Sequence, residues 1–403
     1  MTQTRREFLG TVSVAAALSG LPRPSGFASD DDPLGVRADF PVVEESIYLD
    51  GPYITPSPRQ VTAAATAFAE AKSRSPVSLG RMLEETDAAR GKFARLVNAS
   101  DTEIGMLFAT SEGENIVARA LDLGPGDNVV IDDLHYDTTY ILYQKLAESR
   151  GLEVRIVESE AGGATVEAFA RLVDSRTRLV SVAWVSHQNG YNHDLKGLAD
   201  LAHINNAYLY ADAIQGIGMI DLDVRDTGID FFTTGTYKWL LGGFGVAPFF
   251  VREQLLDLVA VDRFGALHVA EELGDHRYKL YEDGRKYGYA TLGFGSVFQL
   301  SAGLDYLLQV GVPNIERHTV ALAHRLQDGL ATQGYDIWTP KGNHSSIVTF
   351  DHGREIEGVR SDLEAENIKV SLKAGGQQIR AGAALFNTSE EIDALLNLTG
   401  RWA

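Results

Sequence analysis

Short apolar runs alternate with longer stretches of helical periodicity through the first two thirds of the chain. The runs GMLFA, NVVID and RLVSVAW are each followed by a polar turn and then by apolar residues spaced as on one face of a helix. Continuous apolar runs of this length are typical of strands buried on both faces, and the helical stretches suit the connections of a parallel sheet. The pattern therefore predicts an α/β fold with polar turns along one edge of the sheet.

The chain on either side of this region has a different pattern. Residues 46–58 combine a short strand with a turn rich in Gly and Pro, and alanine-rich periodicity predicts helix over 59–97. Helical periodicity returns over 295–330, and short strands follow in SSIVTF and IKVSL. The boundaries predicted from these changes are an N-terminal segment 29–58, a large lobe 59–295 and a smaller C-terminal lobe 296–403.

Composition narrows the classes of function. With 403 residues and 44% hydrophobic content, the chain can bury a large core, as a soluble enzyme does. A formal net charge of −19 disfavours binding to nucleic acid or to anionic membrane surfaces. The chain has no cysteine, which excludes disulfides, thiolate metal sites and a persulfide held on the chain itself. We expect a small-molecule ligand and no metal site.

Residues 1–28 are predicted to be a targeting signal. TRREFLG carries paired arginines, TVSVAAALSGL is a short apolar stretch, and GFA offers small residues for cleavage. The segment resembles a twin-arginine signal, which predicts export of a folded protein to the periplasm or another extracytoplasmic space. Its apolar stretch is too short to span a membrane. A tail without targeting function is the alternative interpretation.

Two chemically distinctive residues end neighbouring apolar runs. AYLYADA ends near Asp212, and IDFFTTGTYKW breaks at Gly235 before reaching Lys238 at the same predicted edge of the sheet. Pyridoxal phosphate is carried by a lysine amine as a Schiff base and needs a carboxylate to keep its pyridine nitrogen protonated. Asp212 and Lys238 suit these two roles. A helix-capping aspartate and a solvated surface lysine are the alternative.

The stretch 208–245, with Asp212, Gln215 and Lys238, resembles the class V aminotransferases among the fold-type I pyridoxal phosphate enzymes, and most of the chain after residue 45 follows that pattern. The superfamily includes cysteine desulfurases, isopenicillin N epimerase-like proteins, kynureninases and hercynylcysteine sulfoxide lyases. The resemblance implies a mostly parallel seven-stranded sheet between helices, a smaller α+β lobe and a homodimer. It implies that Lys238 forms the Schiff base, Asp212 pairs with the pyridinium and Gln215 hydrogen-bonds the ring oxygen or the region of the Schiff base.

The turn in ATSEGEN joins a predicted strand to a predicted helix and suits phosphate binding. Thr110 and Ser111 stand where backbone amides and hydroxyls converge on an anion. Helix capping by Ser111 is compatible with this role, because the same amides serve both. The resemblance adds Thr236 and Tyr237 to the phosphate ligands, and it places Thr291 at the phosphate of a neighbouring subunit.

Two further turns supply candidate ring contacts. By resemblance, Tyr136 stacks on the cofactor ring, with His135 as the second choice for that position and a core aromatic as the alternative for Tyr136. Asn189 is the candidate donor to the ring hydroxyl. His187 in the same turn is interpreted as a hydrogen-bonded structural residue and not as a catalytic one.

Arg380 in QQIRAGAALFNT is the candidate for binding a substrate α-carboxylate, because a guanidinium group can bind a carboxylate through two hydrogen bonds. A surface ion pair is the alternative for this residue. Lys238, Asp212 and Tyr237 are the predicted catalytic residues: Lys238 removes the α-proton, Asp212 stabilises the pyridinium, and Tyr237 is a possible proton donor.

These residues predict an enzyme that acts on an amino acid or an amino-acid moiety by transamination or lyase chemistry. Because cysteine is absent, persulfide desulfuration is expected to be excluded. An epimerase and a kynureninase-like hydrolase are the alternatives within the same chemistry. An exported binding protein without catalysis is the alternative from another class. Neither a Gly-x-Gly-x-x-Gly turn nor a Walker loop follows the first strand, which argues against nucleotide-dependent enzymes.

Overall fold

The computed structural model describes residues 32–403, so the predicted signal at 1–28 lies outside the described residues. The strands are β1 Ile47–Tyr48, β2 Ile104–Leu107, β3 Asn128–Asp132, β4 Glu153–Val157, β5 Thr177–Ala183, β6 Tyr208–Asp212, β7 Phe231–Thr233, β8 Ala247–Val251, β9 Val269–Gly274, β10 Arg277–Leu280, β11 Ile347–Asp351, β12 Ile368–Lys369, β13 Ser371–Lys373 and β14 Gln378–Gly382.

The helices are α1 Val42–Glu45, α2 Arg59–Arg74, α3 Leu79–Leu96, α4 Thr110–Ala120, α5 Asp137–Arg150, α6 Val166–Ala170, α7 Leu195–Ile204, α8 Val224–Thr227, α9 Phe294–Val310, α10 Val312–Thr332, α11 Ile356–Ala365 and α12 Ser389–Gly400. Short 3-10 helices lie at Arg37–Asp39, Asp101–Glu103, Glu253–Leu255, Gly284–Tyr287 and Ala374–Gly376. Within 32–403, no helix combines the length and apolar character needed to cross a membrane.

A seven-stranded sheet forms the centre of the large lobe, with strand order β2-β8-β7-β6-β5-β3-β4. All neighbouring strands pair in parallel except β8, which is antiparallel to both β2 and β7. The strands β2, β3, β7 and β8 are buried along their whole length. Helices cover both faces of such a sheet, which explains the continuous apolar runs. The predicted α/β fold with a mostly parallel seven-stranded sheet is confirmed.

The prediction of helix over 59–97 is wrong at its centre, where the chain forms two helices, α2 and α3. The break contains Pro76, which has no N–H to donate and restricts the residue before it to extended conformations. Ser75 is extended, with φ −156° and ψ 144°. The side chain of Ser78 then caps α3 by accepting from the Arg81 N–H at 3.2 Å.

The small lobe is built on the three-stranded antiparallel sheet β11-β14-β13 with α10, α11 and α12. Two strands far apart in sequence are joined here, because β1 pairs in parallel with β12. Asp50 forms an isolated bridge with Gly382 just beyond that pair. The chain around residues 47–50 therefore belongs structurally with the C-terminal lobe. The hairpin of β9 and β10 has no counterpart among the predicted elements.

The carboxyl edge of the large sheet collects the polar turns. In register, Asp212 at the end of β6 lies between Ala183 on β5 and Thr233 on β7. The turns after β2 and β3 open at the same edge and lead into α4 and α5. Ligands of open parallel sheets bind at this edge, so the fold positions the candidate site there.

Candidate active site

A cavity of about 370 Å³ lies at the carboxyl edge of the sheet, and seven of the predicted site residues line it. Its size is within the usual range for small-molecule sites. The wall brings together residues from four different turns of the large lobe: Thr110, Ser111, Tyr136, Asp212, Gln215, Tyr237 and Lys238.

Asp212 is held at the floor of this cavity by its strand. One carboxylate oxygen, Oδ1, accepts the N–H of Ile214 at 3.0 Å, which fixes the side chain at the end of β6. Burial raises the pKa of Asp212 to about 6, while the Ile214 N–H and the charge of Lys238 act against that rise. A carboxylate in this position is suited to pairing with a cationic ring nitrogen.

Lys238 follows β7 in a loop whose backbone is hydrogen-bonded to itself. The N–H of Leu241 donates to the Lys238 carbonyl at 2.8 Å, and the N–H of Gly242 donates to the Thr236 carbonyl at 2.8 Å. Burial lowers the pKa of Lys238 to about 8, and the charge of Asp212 partly opposes this effect. Within 32–403 its Nζ has no hydrogen-bond partner, so the amine is available to a ligand.

Gln215 lines the cavity but uses both ends of its amide to hold the surrounding loops. Its Nε2 donates to the carbonyl of Pro52 at 2.9 Å, and its Oε1 accepts from Nε1 of Trp239 at 2.9 Å. Trp239 is the residue after Lys238. Gln215 therefore anchors the lysine loop to the chain near residue 52 in this structure, and its predicted contact with the cofactor stays a prediction.

The first turn of α4 forms an anion-binding corner of the cavity. The N–H groups at a helix N-terminus have no acceptor within the helix, and Ala109 at the N-cap offers no side-chain oxygen to them. Gly235 approaches this corner closely, since a Cβ at Gly235 would lie 3.0 Å from Oγ1 of Thr110 and 2.7 Å from Cδ1 of Ile214. The absence of a side chain at Gly235 thus lets the loop that carries Lys238 come close to the first turn of α4.

Tyr136, and not His135, reaches the cavity. The Tyr136 side chain is 45% exposed and lies edge to face with His187, with ring centroids 5.0 Å apart. His135 is fully buried behind it, where Nδ1 accepts the N–H of Tyr136 at 2.7 Å and Nε2 lies 3.3 Å from Oγ of Ser181. The geometry favours Tyr136 over His135 as the residue that contacts a ring in the cavity.

Two predicted ligands point away from the cavity. The amide of Asn189 is buried and donates to the carbonyl of Gly162 at 2.7 Å, while its Oδ1 accepts the N–H of Tyr191 at 3.0 Å. The hydroxyl of Thr236 donates to the carbonyl of Gly243 at 2.5 Å inside the lysine loop. Both side chains stabilise turns and do not line the cavity, because their polar atoms are already used by the backbone.

Two more predicted ligands lie outside this cavity. Thr291 is exposed and is not part of the cavity wall. Arg380 on β14 is 3% exposed and donates to the carbonyl of His187 at 2.6 Å and to Oγ of Ser371 at 2.9 Å. Its Nη2 also lies 3.5 Å from Asp50. Arg380 therefore stands behind the cavity wall, with one buried donor, Nε, that has no partner.

His187 and Phe244 also line the cavity, although the sequence predicts only a structural role for His187 and none for Phe244. His187 lines the wall, and its buried Nδ1 has no hydrogen-bond partner. Burial and the nearby cations Lys373, Arg380 and Lys238 lower the pKa of His187 to about 3, so the ring is neutral at neutral pH. Phe244 stacks on Tyr237 with centroids 4.4 Å apart and is 60% exposed. For His187, the sequence signal for a place in the cavity wall is its position in the turn after β5. No sequence signal indicates that Phe244 lines the cavity.

A buried carboxyl group lies beneath the cavity on α4. Glu114 is 4% exposed and accepts from Oγ1 of Thr139 and Oγ of Ser181, each at 2.6 Å. Burial raises its pKa to about 7, and the charge of Asp212 adds to the rise. The two carboxyl groups therefore influence each other's ionisation, a coupling that the helical pattern of α4 did not reveal.

The donor set fits pyridoxal phosphate. The cavity offers an amine without a partner at Lys238, a carboxylate at Asp212, an aromatic face at Tyr136 and an anion-binding helix N-terminus at Thr110. The unsatisfied Nδ1 of His187 adds a polar atom that faces no described partner. Within residues 32–403 no group of three or more His, Asp or Glu side chains is arranged to hold a metal ion.

Comparison with known proteins gives one family and a consistent set of relatives. The model of the family described as Aminotransferase class-V matches residues 47–395. A probable cysteine desulfurase of Methanothermobacter thermautotrophicus is 29% identical over 387 residues, which cover 89% of this chain and 95% of the relative. A cysteine desulfurase of Haloferax volcanii is 25% identical and is covered over 95% of its length.

Solved structures show the same fold. The apo cysteine desulfurase of Thermococcus onnurineus superposes with a TM-score of 0.83 at 24% identity, covering 93% of this chain and 99% of the other. The cystine C-S lyase C-DES, solved in complex with its reaction product cysteine persulfide, gives a TM-score of 0.83 at 19% identity and covers 90% of this chain and 99% of that one.

The expectation of transamination or lyase chemistry without persulfide desulfuration is wrong. The relatives are named cysteine desulfurases, and one structural neighbour has cysteine persulfide as its product. The error lay in treating a persulfide as necessarily bound to a cysteine of the enzyme. A small molecule can also carry the persulfide, so the absence of cysteine limits where the sulfur goes and not whether a carbon–sulfur bond is broken.

Proposed function

Because the chain belongs to the aminotransferase class-V family, we propose that this pyridoxal phosphate-dependent enzyme breaks the Cβ–S bond of a cysteine-derived substrate and releases the sulfur on a small molecule. The observation that carries the proposal is the meeting of Lys238 and Asp212 in one cavity of a chain whose relatives are named cysteine desulfurases. None of the 403 residues is cysteine, so the sulfur leaves on a thiol that is not part of the chain.

Each cavity residue has a role in holding the cofactor. Bound pyridoxal phosphate supplies an electron sink for negative charge at the substrate Cα. Lys238 would hold the aldehyde carbon, Asp212 the pyridine nitrogen and the first turn of α4 the phosphate, while Tyr136 covers one ring face. His187, whose buried Nδ1 has no hydrogen-bond partner, lies edge to face with Tyr136 on the same wall.

Lys238 is the base that accepts the Cα proton. A general base works best when its pKa lies near the working pH, and burial lowers the pKa of Lys238 to about 8. Tyr237, the adjacent residue, is the candidate proton donor to the leaving sulfur. Burial raises the pKa of the Tyr237 phenol, which keeps it protonated at neutral pH.

The reaction balances as an elimination followed by hydrolysis. The electron pair of the Cα–H bond forms the Cα–Cβ double bond, and the pair of the Cβ–S bond leaves on sulfur, which takes up a proton. Water then hydrolyses the enamine product. Overall, R–S–CH2–CH(NH3+)–COO− and water give R–SH, pyruvate and ammonium. When R–S is the second half of a cysteine disulfide, R–SH is a persulfide.

The test measures pyruvate, ammonium and sulfur products from L-cysteine and L-cystine with the cofactor-loaded enzyme. Release of sulfide or persulfide with pyruvate in equal amounts supports the proposal, and Lys238→Ala is expected to abolish it. Lys145→Ala is the matched control, because Lys145 is an exposed lysine paired with Glu148. Turnover of other amino acids without sulfur release would refute the proposal.

We also propose that the active form is a homodimer. The exposed Thr291 and the exposed Phe244 at the cavity mouth support this arrangement, since both are available to a second subunit. Sedimentation of the loaded enzyme as a monomer with full activity would contradict it. A dimer that loses cofactor affinity on Thr291→Ala would support it.

Export by the twin-arginine route is a further proposal, and the paired Arg5 and Arg6 followed by a short apolar stretch support it. Fractionation of cells that express the full chain provides the test. The protein is expected in the extracytoplasmic fraction, and Arg5→Lys with Arg6→Lys is expected to retain it inside the cell. Unchanged distribution of this variant would overturn the proposal.

A further inference from the structure

A second cavity, of about 760 Å³, lies between the two lobes and shares His187 with the cofactor cavity. Tyr136 lines the first cavity and the next residue, Asp137, lines the second. A molecule whose reactive end lies beside Lys238 can therefore extend past His187 into the interlobe cavity. This volume is typical of sites for ligands much larger than a single amino acid.

The wall of the interlobe cavity is fixed by close packing between the lobes. Gly162 has φ +80°, and a Cβ there would lie 2.2 Å from the carbonyl oxygen of Trp338. The hydroxyl of Thr339 donates to the carbonyl of Asn189 at 2.6 Å, which ties the small lobe to the turn that carries His187. The cavity is thus built from two lobes held in contact.

Four charged side chains face this cavity without ion-pair partners among the described residues: Asp137, Asp336, Asp351 and Lys373. Asp336 and Asp351 are neighbours, since the N–H of Asp351 donates to the carbonyl of Asp336 at 2.9 Å. Asp137 follows Tyr136 at the cofactor end, and Lys373 lies close enough to Asp137 and His187 for their charges to interact. The wall therefore carries one acid and one base towards the reactive end, and two carboxylates together on β11 and the segment before it.

We propose that the interlobe cavity binds the group attached to the substrate sulfur, and that this group carries a positive charge near Asp336 and Asp351. The inference rests on the proposed function, since it concerns the leaving group of the same reaction. It identifies the substrate as an S-substituted cysteine and not as free cysteine. Ile337 and Trp338, which follow Asp336 in the chain and line the same cavity, provide an apolar wall for the connecting chain.

Two features of the wall favour this substrate class. Free cysteine bound beside Lys238 would leave Asp336 and Asp351 in the interlobe cavity without a charge partner. A cationic substituent gains attraction from a wall with three acids and one base. Lys373 is in turn placed to attract the carboxylate at the cysteine end, which orients the substrate along the two cavities.

The experiment compares matched substrates and matched variants. A series of S-aminoalkyl cysteines of increasing length is tested against S-alkyl cysteines in which a methyl group replaces the ammonium group. Initial rates give kcat/KM for the loaded enzyme. Calorimetry gives the binding affinity for the Lys238→Ala variant, which lacks the base that removes the Cα proton and therefore should not turn the substrate over. The second readout does not depend on turnover.

The ammonium compounds are expected to be preferred by roughly fivefold or more at low salt, as for two partly exposed charge pairs. The preference should fall as salt is raised, because these carboxylates are exposed to solvent. Asp336→Asn with Asp351→Asn should remove it. The control variant, Asp200→Asn with Asp328→Asn, changes the net charge by the same amount at exposed helix positions outside the cavity. It should leave the preference for the ammonium compounds intact.

The outcomes separate this inference from the proposed function. Sulfur release with equal kcat/KM for ammonium and methyl compounds, in the parent and in the double variant, overturns the inference alone. Failure of every sulfur compound to react overturns the proposed function, and binding of the ammonium series to Lys238→Ala then still reports on the cavity. Equal affinity of that variant for both series overturns the inference in that case as well.

Discussion

Arg380 donates a hydrogen bond from Nη1 to the backbone carbonyl of His187 at 2.6 Å, so a buried cation of the small lobe holds the residue that lines both cavities. Its other terminal nitrogen, Nη2, donates to Oγ of Ser371 and lies 3.5 Å from Oδ1 of Asp50. Burial raises the pKa of Asp50, while Ser371 and Arg380 act against that rise. Because its terminal nitrogens bind His187, Ser371 and Asp50, Arg380 positions the cavity wall in this structure, while its Nε keeps one donor without a partner.

Replacing Arg380 with alanine should destabilise the protein by about 3 kcal/mol, because Asp50 would remain buried without its cation. The free energy of unfolding, measured with denaturant, checks this. In the double variant Asp50→Asn with Arg380→Ala, much of the lost stability should return. KM for the substrate should stay raised in this double variant, because Asp50→Asn does not restore the bond to the His187 carbonyl. A KM equal to that of the parent protein would show that Arg380 neither positions the cavity wall nor binds the substrate.

The pKa values in the cavity predict how cofactor uptake depends on pH. An amine must be neutral to attack an aldehyde, and burial lowers the pKa of Lys238 to about 8. The carboxylate of Asp212, whose pKa burial raises to about 6, must be ionised to pair with the pyridinium. The rate of reconstitution of the apo-protein, followed by absorbance, should therefore fall below pH 6 and rise through pH 8. A flat profile over this interval would contradict both assignments.

Features set by local sequence could be predicted, and features set by distant contacts could not. The apolar runs located β5, β6 and β7, and strand ends then placed Asp212 and Lys238 at one edge. The turn after β5 was harder, because Gly190, with φ 77°, bends the chain so that Asn189 points inward while His187 lines the cavity. The conformation of that turn, and not the residue composition, decides whether His187 or Asn189 faces the cavity.

The small lobe shows the same limit. Short strands were recognised in IKVSL, but the partners of Arg380 lie at Asp50 and His187, far away in the chain. Pro76 breaks the helix predicted over 59–97, and helical periodicity on both sides of it masks the break in the sequence. The interlobe cavity exists only once both lobes are packed, so no single segment indicates its charges.

Asp212 should lower the stability of the apo-protein. Its folded-state pKa is raised from 3.8 to about 6, so the folded state binds a proton more tightly than the unfolded chain, and stability falls as pH rises through that interval. Above this interval, the destabilisation caused by the ionised and buried Asp212 carboxylate has its full value. Asp212→Asn should therefore make the apo-protein about 2 kcal/mol more stable at neutral pH, with little change at acid pH.

The same substitution should abolish turnover and weaken cofactor binding, because the amide cannot pair with a pyridinium. Denaturant unfolding of the apo-protein at acid and neutral pH measures the first effect, and absorbance titration with pyridoxal phosphate measures the second. Equal stability of the parent and Asp212→Asn at both pH values would show that the carboxylate is solvated in the apo-protein.

Gly235 controls the width of the phosphate corner, and adding a methyl group there should weaken cofactor binding selectively. In Gly235→Ala the new Cβ would lie 2.7 Å from Cδ1 of Ile214 and 3.0 Å from Oγ1 of Thr110, so the Ile214 side chain or the loop that carries Lys238 must shift at this corner. We expect the dissociation constant for pyridoxal phosphate to rise at least roughly tenfold, since small shifts of positioning groups are costly. Gly124→Ala is the control, because a Cβ at Gly124 meets its nearest neighbour at 3.9 Å. Similar cofactor affinity in the two variants would show that the corner does not bind the phosphate.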